Sequence, residues 1–144
     1  MTLQDILDDA ALRARFIADG ARLIDDEVAR KPRLSGMALR AGFSAIKAVK
    51  PDIVTVALGA LLPAFAPAVE PYVAEGVAKG DLAGHFAAHA SAIAEAMLQV
   101  TDRKAERADN PLVRRTYLGL RSSAHAHTAE AIPAVGRLLA AYVR

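Results

Sequence analysis

The chain of 144 residues contains no cysteine and no tryptophan. Without thiols it can form neither a disulfide scaffold nor a thiolate zinc site, and neither an iron–sulfur cluster nor a thiol nucleophile is open to it. No alternating run of β-branched and aromatic residues longer than a few positions occurs, and proline or glycine interrupts the chain at helical lengths. No Gly-rich segment ends in Gly-Lys-Ser/Thr and no glycine fingerprint follows a strand, which excludes the corresponding nucleotide-binding folds. The opening Met1-Thr2-Leu3-Gln4-Asp5 meets an acid where a secretory signal carries basic residues, so the expected location is cytoplasmic. A net charge of +2 is too mild to imply a nucleic-acid partner by itself.

What is present points to an all-α single domain over residues 1–144, a bundle of about six helices. A hydrophobic fraction of 53% against 24% charged residues is that of a packed globular chain. Thr2 is placed to cap a short first helix carrying Leu3, Ile6 and Leu7. A second runs from Ala10 to Arg30, with Leu12, Phe16, Ile17, Leu23, Ile24 and Val28 on one side. Gly20 falls in that stripe, where a neighbouring helix is expected to come close. After the break at Pro32, Ser35 is the expected cap of a helix through Lys50 that turns Leu39, Gly42, Phe43, Ile46 and Val49 inward. The 17 uncharged residues from Ile53 to Val69 are the expected most buried segment. Pro71 and the Gly76 to Gly80 region mark a turn. Asp81 then caps a long helix to Ala108, inward through Leu82, Phe86, Ile93, Met97 and Val100. Asn110 and Pro111 start a short helix to Leu120. Ser122 or Ser123 caps a last one to Val143, kinked or split by Pro133.

Two halves, 1–72 and 73–144, show a faint correspondence. Segment 35–40 lies 75 residues before 110–115, and 62–65 lies 70 before 132–135. Charge alternates in blocks of −4 (1–27), +6 (28–51), −4 (52–100) and +4 (101–144).

The segments Leu34-Ser-Gly-Met-Ala-Leu-Arg-Ala-Gly-Phe43, Lys47-Ala-Val-Lys-Pro51 and Leu61-Leu-Pro-Ala-Phe65, with Val100-Thr-Asp-Arg103 and Asn110 to Arg121, resemble a family of short bacterial all-helical proteins of unknown function. The resemblance covers nearly the whole chain. It implies no activity, cofactor or catalytic residue, and carries no site over.

Four groups of residues are candidates for chemistry. His85 and His89, spaced i,i+4, place two imidazoles on one helix face as a metal pair requires, but Glu95 points away and a third ligand would have to come from elsewhere, such as His125 or His127. Ser122, Ser123, His125 and His127 cluster as a hydrolase would need, without a nucleophile elbow, and the serines read better as caps. The acid-free interval from Val28 to Pro51 holds Arg30, Lys31, Arg33, Arg40, Lys47 and Lys50. Arg40, Lys47 and Lys50, beside the helix start at Leu34-Ser35-Gly36, form the candidate anion or partner site. A second basic group, Arg103, Lys104, Arg107, Arg114, Arg115 and Arg121, could extend it. Only Phe43 and Tyr117 interleave as aromatics, and the acidic blocks would repel a long polyanion, so nucleic acid is not the expected partner. Mutual neutralisation of the charge blocks is the simpler reading. As a membrane span, Ile53 to Val69 would reach only about 26 Å, short of the hydrocarbon core of about 30 Å. No transmembrane segment is therefore expected.

These readings converge on a non-enzymatic interaction or assembly protein with a protein partner or self-association, without cofactor, catalytic residue or bound metal. The alternative is a carrier in which Ile53 to Val69 walls a site for an apolar or acidic lipid-like molecule. A metal-dependent enzyme using His85 and His89 is the remaining possibility.

Overall fold

The computed structural model describes residues 1–31 and 33–143, and all of their side chains except those of 33–36, 38, 39 and 113. Among the described residues there are seven α-helices and no strand: α1 (Leu3–Asp8), α2 (Ala10–Ala29), α3 (Arg33–Val49), α4 (Ile53–Ala78), α5 (Leu82–Ala88), α6 (Ala90–Glu106) and α7 (Pro111–Tyr142). The all-α bundle expected from sequence is the fold.

Local chemistry sets most of the boundaries. Thr2 and Asp5 form a reciprocal capping box on α1. Asp9 accepts from the backbone N–H groups of Ala11 and Leu12 and starts α2. Asn110 does the same for α7 through Leu112, with Pro111 in the first turn. α4 ends in a Schellman turn: Gly80 takes φ +70°, its N–H goes to Val77 O, and that of Asp81 goes to Gly76 O.

Three expected boundaries are corrected. The 82–108 helix breaks at His89, whose ring Nδ1–H and backbone N–H both reach His85 O, a side-chain competition that ends one helix and starts another. In contrast, α7 runs unbroken through Ser122, Ser123 and Pro133. Ser123 caps nothing; its hydroxyl donates to Leu120 O in the turn before it. α4 continues through Pro63, Pro67 and Pro71 to Ala78. These prolines, spaced i,i+4, are all solvent-exposed, so the N–H groups they lack are missing from the wet side of the helix, where water can serve the carbonyls left over. A fourth boundary shifts slightly: α3 begins at Arg33, ahead of the expected Ser35 cap, and the Ser35 and Leu39 side chains lie outside the described residues, as does the break at Pro32.

The core is gathered from the chain's outer parts. Leu3, Ile6, Leu7 and Phe16 meet Ala66, Val69 and Val73 of α4, Leu82, Phe86, Ile93 and Ala94 of α5 and α6, and Ile132, Leu139 and Val143 at the end of the chain. The backbone N–H of Leu3 donates to Glu70 Oε2 at 3.2 Å and pins α1 to α4. Gly20 has the expected role, since a methyl group there would lie 3.3 Å from Leu58 Cδ1 of α4. The inward set Leu82, Phe86, Ile93 and Val100 is buried as expected, while Met97 is half-buried. Ile53 to Val69 is corrected: only Phe65, Ala66 and Val69 within it are buried.

Ile93 has no exposed surface, so Ile93→Asp should abolish cooperative folding by burying an unpaired carboxylate; a cooperative melt near the wild-type temperature would refute the core assignment. A methyl group at Gly76 would lie 2.9 Å from Leu82 Cα, so Gly76→Ala should lose about 1–3 kcal/mol by overpacking. Gly59→Ala, where the added carbon lies 3.9 Å from Ile17 Cδ1, should gain about 0.5–1 kcal/mol from helix propensity. Chemical denaturation of both variants measures the contrast.

Candidate interaction surface

α3 is cationic and amphipathic, and it is mounted inside out. Its contacts are with α2: Lys47 Nζ lies 3.0 Å from Asp25 Oδ1, and the Arg40 guanidinium donates to Lys31 O. Arg40, Phe43 and Lys47, one side of the helix, are half-buried, and the Lys47 ammonium sits 5.4 Å from the Phe43 ring centroid. The apolar side turns to solvent. Ile46 is 54% and Val49 88% exposed, and nothing approaches within 4 Å of where a Gly42 side chain would begin. The expectation that Gly42, Ile46 and Val49 face inward is therefore corrected. The only acidic groups within reach of the basic interval belong to other segments, and pairing with Asp25 turns the charged side of α3 to the body of the protein.

Of the candidate anion site, Arg40 and Lys47 lie on this inner side and Lys50 is exposed just beyond the helix end. Lys31, at the turn between α2 and α3, is buried and paired with Glu130 of α7, which holds that carboxyl below its usual range. The basic block 28–51 is thus joined by ion pairs to two others, through Lys47 to Asp25 of 1–27 and through Lys31 to Glu130 of 101–144.

α7 has the complementary peculiarity. Its stripe through Ala134, Arg137 and Leu138 faces α2 across an open cavity of about 340 Å³, Glu130 one turn earlier pairs with Lys31, and Tyr142 stacks edge-on against Phe16 and donates to Asp19. Followed toward the N-terminus at helical spacing, the same stripe becomes Ser123, Leu120, Gly119, Thr116 and Leu112, all exposed. Leu112 is 63% and Leu120 58% exposed. Opposite this stripe the first half of α7 is clamped to α6. Arg121 binds Asp102 through Nε at 2.8 Å and Glu95 at 2.9 Å, and the Tyr117 hydroxyl donates to Asp102. The Asp102 carboxyl is held below its usual range, first by the Arg121 hydrogen bond and then by Tyr117, against the opposing effect of burial. Sequence reasoning missed this clamp, because nothing local tells which of many arginines finds two carboxylates on another helix.

The histidine and serine candidates resolve differently. The His85 and His89 rings lie 4.2 Å apart, centroid to centroid. His85 is buried, and both of its nitrogens are engaged. Lys79 Nζ, which can only donate, lies 3.4 Å from Nδ1, and Nε2 lies 3.0 Å from Glu75 Oε2. His85 thus ties the end of α4 to α5. Among the described residues no three His, Cys, Asp or Glu side chains are placed to hold a metal ion. His125 lies 4.0 Å from Glu95, and His127 Nδ1 is buried without a partner among the described residues. The Ser123 hydroxyl is turned to the backbone instead of to either ring.

α4 over all 26 residues is long and apolar enough to cross a membrane, which the shorter expected segment was not. Only 22% of its most apolar 18-residue stretch is buried within the protein. Its three prolines leave the carbonyls of Gly59, Pro63 and Pro67 without their helical donors, groups that lipid could not satisfy. A second open cavity, about 290 Å³, lies between α6 and α7 beside Tyr117 and Arg121. Neither cavity is lined by residues 53–69.

Stability should fall in acid through Asp102. A carboxyl whose folded pKa is depressed stabilises the fold above its unfolded value, and that contribution is lost as pH drops through the folded value, below about pH 4. Asp102→Asn should lower the melting temperature at pH 7 and flatten the melting temperature against pH below about 4. An acid limb as steep as in the wild type would remove Asp102 from this role.

The chain belongs to the family of unknown function DUF6918, whose match extends over residues 3–143. No curated protein and no solved structure matches it.

Proposed function

We propose that this protein acts by binding another protein through apolar helix faces, as a non-enzymatic interaction or assembly module. The observation that supports this reading is the apolar side of α3, with Ile46 54% and Val49 88% exposed on a helix whose charged side is turned inward. A solitary exposed leucine is ordinary, whereas a helix face with several such residues is characteristic of an interface. The exposed stripe at the start of α7 gives a second such face. The cations Arg40, Lys47 and Lys50 then serve to seat α3 and border its outer face, so an acidic partner group would meet Lys50 first. A carrier of an apolar molecule would use a cavity walled by 53–69, whereas the open cavities of about 340 and 290 Å³ are lined by residues of other helices.

The test is the size of the protein in a gentle extract of cells that make it. The wild type should fractionate well above 15.2 kDa. Replacing Ile46 and Val49 by serine should return it to monomer size without loss of helicity, because these side chains are already in solvent. Wild-type protein confined to monomer size in extract would sink the reading.

A further inference from the structure

The corner where α4 turns into α5 is held by histidine. Among the described residues the buried charged or polar side chains are Lys31 and His85, and Lys31 has the Glu130 carboxylate to balance it. His85, with its side chain 3% exposed, has a group of each sign: Glu75 Oε2 lies 3.0 Å from Nε2, and the Lys79 ammonium lies 3.4 Å from Nδ1. An ammonium only donates, so Nδ1 is bare and the ring hydrogen is on Nε2, directed at Glu75. The His89 tautomer is fixed the other way. Its Nδ1 lies 2.9 Å from His85 O, which only accepts, so Nδ1 bears the hydrogen and Nε2 is bare. The two rings lie against each other with centroids 4.2 Å apart.

Each place for a further proton is therefore obstructed. At His85 Nδ1 a new N–H would point at the Lys79 ammonium, donor against donor. At His89 Nε2 it would set a second cation 4.2 Å from the first. Around the pair, α4 supplies Glu75, Lys79 and the Tyr72 ring, 6.1 Å from that of His89. Asp81 turns its carboxylate to the Gly84 N–H. The side of α5 that meets α7 carries Ala83 and Phe86, against Gly136. On α7, Arg121 and His125 are directed at Glu95, Glu130 at Lys31, and Arg137 at the groove beside α2. Glu75 is the carboxylate that faces the rings, and one carboxylate balances one imidazolium.

We propose that the corner formed by α4, α5 and α6 is a proton-operated joint, closed while His85 and His89 are neutral and opened when both take a proton from solvent. This inference is independent of what the protein binds. The first proton, on His85 Nδ1, expels the exposed Lys79 side chain and is balanced by Glu75. The second, on His89 Nε2, places two cations in contact where burial leaves little water to screen them, and drives the rings apart. His89 then loses the ring bond to His85 O that divides α5 from α6, and His85 leaves the notch at Gly76, where a methyl group would lie 3.3 Å from its Cβ. The open joint holds more protons than the closed one, so falling pH favours opening, by up to about tenfold per pH unit for each proton taken up. Phe86 follows His85 on α5, so the joint acts directly on the contact between Phe86 and Gly136.

Backbone hydrogen exchange at about pH 7.5 and about pH 5, each rate divided by its intrinsic value at that pH, reads the joint, because histidine is the side chain that ordinarily changes charge in this interval. The amides of His85, His89 and Ile93, bonded to Asp81 O, His85 O and His89 O, should lose protection at least about tenfold at the lower pH, while those of 12–24 in α2 keep theirs. Imidazole nitrogen shifts at about pH 7.5 should show the Nε2–H tautomer for His85 and the Nδ1–H tautomer for His89. His89→Asn keeps a donor where Nδ1 stands and takes no charge, so it should remove most of the acid response. Equal protection at the two pH values overturns the proposal. So does a loss that α2 shares in full, which is unfolding of the whole chain, or an acid response undiminished in His89→Asn. The reverse tautomers overturn it as well. None of these outcomes bears on the size of the protein in extract, so the joint and the interaction reading fail separately.

Discussion

The approach of α5 to α7 at Phe86 and Gly136 governs the fold. A methyl group at Gly136 would lie 2.6 Å from Phe86 Cβ, so the two backbones meet at a distance only glycine permits. Phe86 is fully buried there, with Ile93, Ile132 and Leu139 around it. α1, α2 and α4 complete that centre from the other side. Because the contact joins the middle of the chain to its end, the first half of α7 is carried beyond the core, and the α6 clamp through Arg121, Asp102 and Tyr117 keeps it there.

Helix identity and capping were legible because they depend on neighbours in sequence. Thr2, Asp9, Asn110 with Pro111 and Gly80 act within a turn of where they stand. The errors arose where a local rule met a distant partner. Pro71 and Pro133 read as interruptions, yet the helices pass through them because flanking side chains are anchored and, in α4, the missing donors face water. At His89 the reverse happened: no breaker is present, and a ring hydrogen bond to His85 O divides the helix.

The candidate surface was half legible. Periodicity identified the apolar side of α3, and charge counting identified its cations, but the inference that apolar means inward failed. Which side of an amphipathic helix meets the body depends on what the neighbour offers. α2 offers Asp25 and a free Lys31 carbonyl at its end, and these fix the charged side of α3. The cost of leaving Ile46 and Val49 in water is a property of the single chain, and is removed when that side is covered.

The proline side of α4 has a mechanical consequence. Three successive turns lack the bond that would close them on the outer side, while the inner side keeps its ladder and its contacts at Phe65, Val69 and Val73. Such a rod is soft in one direction and stiff in the others, opening on the proline side and closing toward the core. α4 thus behaves as a leaf spring whose easy bend wraps it around the bundle, and a load on its exposed N-terminal end is converted into curvature before it can pry the core apart.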